Sequence, residues 1–211
     1  MVVTIAGGHG KIALVLTRLL SERGDRVRSL IRNPDHGDDV RAAGGEPVVC
    51  DLEAADDQTV AQAVEGADAI VFAAGAGPGS GSERKLTMDF GGAVKLIAAA
   101  KGADIRRYVM VSSRGANPDA PGDDTFGVYL RAKGQADTEL AASGLDHTIV
   151  RPGRLTDEPG TGRVTIADDT GDGSIPRADV AAVLAAVLGA PGTVGAAFDL
   201  ISGDTPIDQA L

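Results

Sequence analysis

The sequence predicts an α/β fold, a mostly parallel sheet with helices on both faces. Two observations carry this reading. Short apolar runs rich in Val and Ile alternate with longer stretches of helical period, the signature of repeated βαβ units. Most of those runs are apolar throughout rather than alternating, as strands are when helices bury both faces of a sheet. Composition agrees: 43% of residues are hydrophobic but only 3% aromatic, with no Trp, so the core must be built from Val, Leu, Ile and Ala.

Taken in order, the pattern places strands at Val2–Ala6, Arg26–Ile31, Pro47–Val49, Ala69–Ala74, Tyr108–Val111, His147–Arg151, Val164–Ala167 and Ala197–Ile201. Helices fall at Lys11–Arg23, Asp38–Ala43, Asp56–Val64, Glu83–Lys101, Phe126–Ala142 and Arg177–Leu188. Gly24, Gly44, Gly66, Gly102 and Gly144 stand just past a helix or just before the next strand, where helices commonly end on glycine. The right-handed crossover rule then leaves the doubly wound Rossmann arrangement as the leading topology. Three irregular stretches, Gly75–Ser82, Arg114–Gly127 and the run from Arg151 through "RPGRLTDEPGTG", follow strands at the carboxyl edge, where ligands bind in open α/β sheets.

The 211 residues fit one domain, 1–211, with residues 152–211 supplying a small substrate-side extension. A net charge of −10 argues against a nucleic-acid or anionic-membrane partner. No apolar run reaches the roughly 20 residues that span a bilayer, and no signal-peptide charge pattern opens the chain, so a cytoplasmic protein is expected. The lone Cys50 excludes an intrachain disulfide and, after Val48 and Val49, reads as a buried structural thiol. No Cys/His cluster has metal-ligand spacing. The expected partner is a small molecule, with the chain a monomer or homodimer.

The stretch "IAGGHGKIA" lies after the first strand and opens the first helix. Gly7 permits a tight turn, Gly10 lets the backbone approach a pyrophosphate, and small Ala13 lets helix and strand pack closely. The helix N-terminus adds unpaired N–H groups and a partial positive charge. Gly7, Gly8, His9, Gly10, Lys11 and Ile12 are therefore the candidate phosphate site, with a bare strand-to-helix turn as the alternative. His9 reads as a spacer or phosphate neighbour rather than a base.

At the end of the second strand NAD enzymes place an acid for the ribose 2′-hydroxyl, and NADP enzymes a cation for the 2′-phosphate. Arg32 stands there, with His36 nearby, which favours NADP(H) over NAD(H); a solvated surface Arg is the alternative. Asp51 and Leu52 follow the third strand, where a carboxylate can accept from the adenine amino group. Ala73, Ala74 and Gly75 follow the fourth and leave room for a ribose.

The motifs "GGHGKIA", "LIRNP", "CDLE", "FAAGAGPGSG", "TMDFGGAVKLIAAAK", "YVMVSSRGA", "YLRAKGQADTEL", "IVRPGRLT" and "IPRADVA", in this order and spacing, resemble the short-chain dehydrogenase/reductase superfamily. The likeness is to its atypical NAD(P)H-binding, epimerase/dehydratase-like members and runs over nearly the whole chain. It implies a catalytic set of Ser113, Tyr129 and Lys133, the last two as Y-x-x-x-K, with Asp89 at the position where the superfamily usually has Asn. That Asp is a departure shared with a subgroup of atypical members. Pro152, in "IVRPGRLT", completes the candidate cofactor-binding set, to which Lys133 also belongs by holding the nicotinamide ribose.

The residues support the same chemistry on their own. Tyr129 and Lys133 are four apart and share a helix face. A nearby ammonium favours a tyrosinate, so Tyr129 can exchange a proton with a substrate oxygen while Ser113 polarises the carbonyl. Arg114, Arg151 and Arg154 either meet an acidic substrate or are solvated loop charges, and the helix carrying Asp179 in its first turn packs on the core. The expected function is an NADP-dependent oxidoreductase acting on a small carbonyl, alcohol, quinone or flavin-like substrate. The alternatives are a non-catalytic NADP-binding sensor and a nucleotide-sugar epimerase or dehydratase, the latter lacking the usual C-terminal substrate domain.

Overall fold

Alternate residues along each central strand feed opposite layers, and that alternation sets the architecture. Val3, Ile5, Val71 and Val109 enter one core cluster, whereas Ala6, Ile70, Phe72, Tyr108 and Met110 enter the other. Both faces of the sheet are therefore apolar and both need covering by helices.

The computed structural model describes residues 1–77 and 79–211. Pro78, within the expected Gly75–Ser82 loop, lies outside the described residues. The chain runs β1 (Val2–Ala6), α1 (Lys11–Glu22), β2 (Arg26–Ile31), a 3-10 turn (Pro34–His36), α2 (Gly37–Ala42), β3 (Glu46–Val49), α3 (Asp57–Val64) and β4 (Ala69–Phe72). Then come α4 (Ser82–Arg84), a π-helical segment (Lys85–Gly92), α5 (Ala93–Gly102), β5 (Arg107–Val111), α6 (Thr125–Ala142), β6 (Asp146–Pro152) and β7 (Arg154–Thr156). The remainder is β8 (Arg163–Ala167), β9 (Ser174–Pro176), α7 (Arg177–Leu188), a second 3-10 turn (Pro191–Thr193), β10 (Ala196–Ser202), β11 (Thr205–Pro206) and α8 (Ile207–Ala210).

Nine strands form one sheet in the order β11-β8-β10-β6-β5-β4-β1-β2-β3. From β3 to β10 every neighbour is parallel, while β8 lies antiparallel on β10 and β11 on β8. The chain winds outward in both directions from β1 and β4, so this is the doubly wound Rossmann arrangement that the sequence predicts. The strand order reverses between β1 and β4, which opens a crevice at their carboxyl ends.

Helix α1 buries Ala13, Leu16, Thr17 and Leu20 and packs against α7. This i, i+3, i+4, i+7 stripe buries two leucines, each worth about 1.5–3 kcal/mol. Side-chain caps fix two further starts: Asp56 accepts from the Thr59 N–H at 2.8 Å before α3, and Asp124 from the Gly127 N–H at 2.8 Å before α6.

The structure differs from the sequence-based elements in three ways. The helix expected at Glu83–Lys101 contains the π-helical Lys85–Gly92, which carries one extra residue per turn and buries Lys85, Met88, Asp89 and Gly92. The strand expected at Ala69–Ala74 ends at Phe72, because Ala73 and Ala74 leave the ladder to wall the glycine turn. Strands β7, β9 and β11, of two or three residues, are too short to show any period. Among the described residues no helix is long and apolar enough to cross a membrane.

Candidate active site

Gly7 holds φ at +77°, and a Cβ there would stand 2.6 Å from the Ala74 Cα, so only glycine fits the turn. The Gly10 N–H donates to the Gly7 carbonyl at 2.8 Å and closes the turn. Gly10 is also the residue before α1 and supplies no side-chain cap, which leaves the first-turn N–H groups of α1 for an anion. Gly8 serves the fold instead: its N–H donates to the Leu30 carbonyl at 2.9 Å, and a Cβ would fall 2.5 Å from that of Ser29. Lys11 is exposed and paired with Asp157 at 2.6 Å.

A cleft of about 310 Å³ opens beside this turn, walled by Gly7, His9, Gly10, Arg32, Asp51, Leu52, Ala73, Ala74 and Gly75. These nine cofactor candidates thus converge at the switch point. Arg32 is exposed and has no hydrogen-bond or ion-pair partner among the described residues. His9 and His36 stack at 3.7 Å with planes 15° apart, and Nε2 of His9 meets Asp39 at 2.7 Å. On the opposite wall Asp51 accepts from the Glu53 N–H at 3.0 Å. Burial raises the Glu53 carboxyl, but Thr87 at 2.6 Å and Arg84 at 2.9 Å outweigh it and hold the group below the usual range. Cys50 also reaches the cleft; burial pushes its thiol up, as suits a structural rather than a reactive sulfur.

A second cavity, of about 830 Å³, shares the wall Ala73, Ala74, Gly75 and Gly77 with the first and holds Ile12, Lys85, Asp89, Ser112, Phe126, Tyr129 and Lys133. The predicted pair on α6 thus faces the same space as Asp89. Lys133 is buried; its Nζ lies 3.3 Å from Asp89 Oδ1 and donates to the Val111 carbonyl at 3.2 Å. Burial opposes its charge, but Tyr129, Asp89 and Asp137 outweigh that and hold the ammonium above the ordinary lysine range. The second oxygen of Asp89 accepts from the Ala76 N–H at 3.1 Å, which ties the glycine-rich loop to the ion pair. Tyr129 stacks against Phe126 at 6.1 Å, and the Lys85 ammonium sits 5.4 Å from its ring centre. The π-helical turn presents Lys85 and Asp89 to this cavity together, and π-bulges recur at functional sites.

Behind Lys133, one turn further along α6, Asp137 accepts from Arg151 at 2.8 Å. Burial pushes the Asp137 carboxyl up in spite of that partner. Arg151 is thereby engaged inside the fold and not in a loop. Arg114 pairs with Asp172, and Arg154 stays exposed.

Ser113 is not brought to the cavity of Tyr129. It lines an adjoining cavity of about 690 Å³ with Arg114, Pro152, Gly153 and Arg154, and Phe126 borders both spaces. Its neighbour Ser112 reaches the Tyr129 cavity, with its hydroxyl buried beside the Asp137 carboxylate. Consecutive residues leaving a strand face opposite ways, and "VSS" carries no mark of which serine faces where. Sequence reasoning also missed Lys85, Arg84 and Phe126, although the four-residue spacing of Lys85 and Asp89 was there to read. Asp179 does more than favour a helix dipole: buried, it accepts from the Thr161 and Gly162 N–H groups at 2.9 and 2.8 Å and anchors that loop to α7.

The profile of the NAD(P)H-binding family matches residues 7–191. The chain belongs to this family. The NAD(P)H-binding chain is 41% identical to a Bacillus subtilis (strain 168) protein named an uncharacterized sugar epimerase, YhfK, over 100% of this chain and 99% of that one. Among solved structures, a Bacillus halodurans protein described as an NAD-dependent epimerase/dehydratase superposes with a TM-score of 0.92 at 39% identity, over 99% of this chain and 97% of that one. The anaerobillin reductase ChuY of Escherichia coli O157:H7 gives 0.82 at 26% identity, over 97% and 98%. The site fits the cofactor the family binds: the glycine cradle has no room for a side chain, and an uncapped helix end faces it.

Proposed function

We propose that this protein is an NADP-dependent oxidoreductase of the short-chain dehydrogenase/reductase type, acting on a small carbonyl, quinone or flavin-like substrate. The observation that carries the reading is the Tyr129, Lys133 and Asp89 set in a cavity that shares the Ala73, Ala74 and Gly75 wall with the dinucleotide cleft. The bound nicotinamide supplies or takes the hydride. Tyr129 gives a proton to the substrate oxygen, or takes it back in the reverse direction, and Lys133, kept charged by Asp89, stabilises the phenolate that results. Ser113, the serine expected from the sequence to polarise the substrate oxygen, lines the adjoining cavity and not that of Tyr129. Phe126, 62% exposed and stacked with Tyr129, offers a flat wall that suits an aromatic ring. Arg32, with no competing ion pair among the described residues, favours the 2′-phosphate of NADP(H).

The name of the Bacillus subtilis relative favours a second reading, epimerisation of a sugar. One experiment separates the two: NADPH and NADH are each offered with a panel of quinones, flavins, aldehydes and nucleotide sugars. The redox reading predicts net NADPH consumption with a quinone, flavin or aldehyde. Inversion of a sugar with no net change in NADPH supports the second reading, and NADPH binding without turnover of any kind supports a sensor.

A further inference from the structure

Four basic side chains line the same cleft: Arg32 and Arg84 carry a permanent charge, whereas His9 and His36 gain theirs only with a proton. The two imidazoles are held as a unit. Their rings stack at 3.7 Å, and His9 is fixed from its far side by Asp39 at 2.7 Å. The His36 ring has no hydrogen-bond partner among the described residues, although it stands half-buried at the cleft. A fixed and unpartnered imidazole four residues beyond Arg32 is a ready donor to an anion.

We infer that the His9–His36 stack reads the 2′-phosphate of the cofactor alongside Arg32 and makes the preference for NADP over NAD depend on pH. This inference rests on the NADP reading above. Imidazole is the side chain whose charge changes between pH 5 and 8. Further charged groups stand around the stack. Asp39 contacts His9, Asp35 shares the turn with His36, and Asp38 is engaged by Arg41 at 2.8 Å. Asp51 lines the cleft too, as does Arg84, which is paired with Glu53 at 2.9 Å. Arg32 and Arg84 are the permanent cations of the cleft, and a bound 2′-phosphate offsets positive charge there. NAD lacks that phosphate, and the pyrophosphate that the two cofactors share cancels in the ratio of their affinities, so the preference between them reports the 2′ position.

Lowering the pH from 8 to 6.5 therefore tightens NADP⁺ relative to NAD⁺ by about tenfold, the worth of converting one hydrogen bond to a charge-assisted one. The comparison stops at 6.5 because the phosphate itself gains a proton near pH 6. Calorimetric titration with NADP⁺ and NAD⁺ at both pH values, on the wild type, His36→Asn and His9→Asn, tests this. The expected result is a pH-dependent preference in the wild type that flattens in both variants, with thermal melts of each variant as a check on folding. Proton NMR gives a second readout. Of the three histidines, His9 and His36 should hold their protons to higher pH with 2′,5′-ADP than with 5′-AMP, while His147, on β6, serves as the control. A preference for NADP⁺ that is equal at both pH values overturns the inference and leaves the NADP reading standing. Equal affinities for NADP⁺ and NAD⁺ at both pH values overturn both.

Discussion

The two tyrosines of this chain show how surroundings divide one residue type into two roles. Tyr108 is fully buried on β5, where burial pushes its phenol far up and keeps it neutral, whereas Tyr129 opens onto the cavity beside a buried ammonium. The Y-x-x-x-K spacing singled out the second. Asp89 was also legible, by its position in the motif order, but its partner was not, because a contact between α6 and the π-helical turn has no signature in local sequence. A buried ion pair is costly to break and cheap to replace as a unit. Lys133→Met should therefore lower the unfolding free energy by about 3–5 kcal/mol, by leaving the Asp89 carboxylate unpaired. The double variant Lys133→Met, Asp89→Asn should recover most of that loss in urea melts while remaining inactive. Equal destabilisation of the single and double variants would mean that the pair is not coupled. The serines mark where reading stopped: position in a motif names Ser113, and only the three-dimensional path of the strand end shows Ser112 in the Tyr129 cavity.

At the scale of elements, glycine does two jobs that substitution separates. At Gly7 it permits the turn against Ala74, so Gly7→Ala should weaken NADP⁺ binding at least tenfold in calorimetry as well as destabilise the fold. On α6 it permits a close approach of chain: a Cβ at Gly134 would lie 2.2 Å from the Asn117 carbonyl carbon, where the Arg114–Asp124 loop crosses the helix. Gly134→Ala should cost about 1–3 kcal/mol in thermal or urea melts, although alanine is the better helix former, and a neutral or stabilising result would contradict this packing. The tight glycine turn before α1 was legible because each of its constraints falls on a named residue at fixed spacing. The π-helical turn was not, since one extra residue per turn hardly disturbs an apolar pattern that the flanking helix continues.

For the molecule as a whole, the parallel order and the two-sided core were legible in the continuous apolar strands, whereas the additions β7, β9 and β11 were too short to carry a signal. Net stability against acid is another whole-molecule property, and its sign follows from particular carboxylates. Glu53 has a lowered pKa in the fold, so its stabilising contribution is complete above the ordinary carboxylate value of about 4 and is lost as pH falls through the folded value. Asp137 is raised, so the folded state takes its proton first and its contribution grows as pH falls toward about 4. Melting temperatures measured from pH 7 to 3 should accordingly fall less steeply for Glu53→Gln and more steeply for Asp137→Asn than for the wild type; the reverse order would refute these assignments. In the proposed function the cavity beside the dinucleotide cleft moves a proton through Tyr129. Turnover of NADPH with an accepted quinone or aldehyde, compared between the wild type and Tyr129→Phe at matched NADPH affinity, tests it most directly. The account predicts a loss of at least about a hundredfold in kcat with cofactor binding unchanged, and turnover in the variant equal to that of the wild type would contradict it.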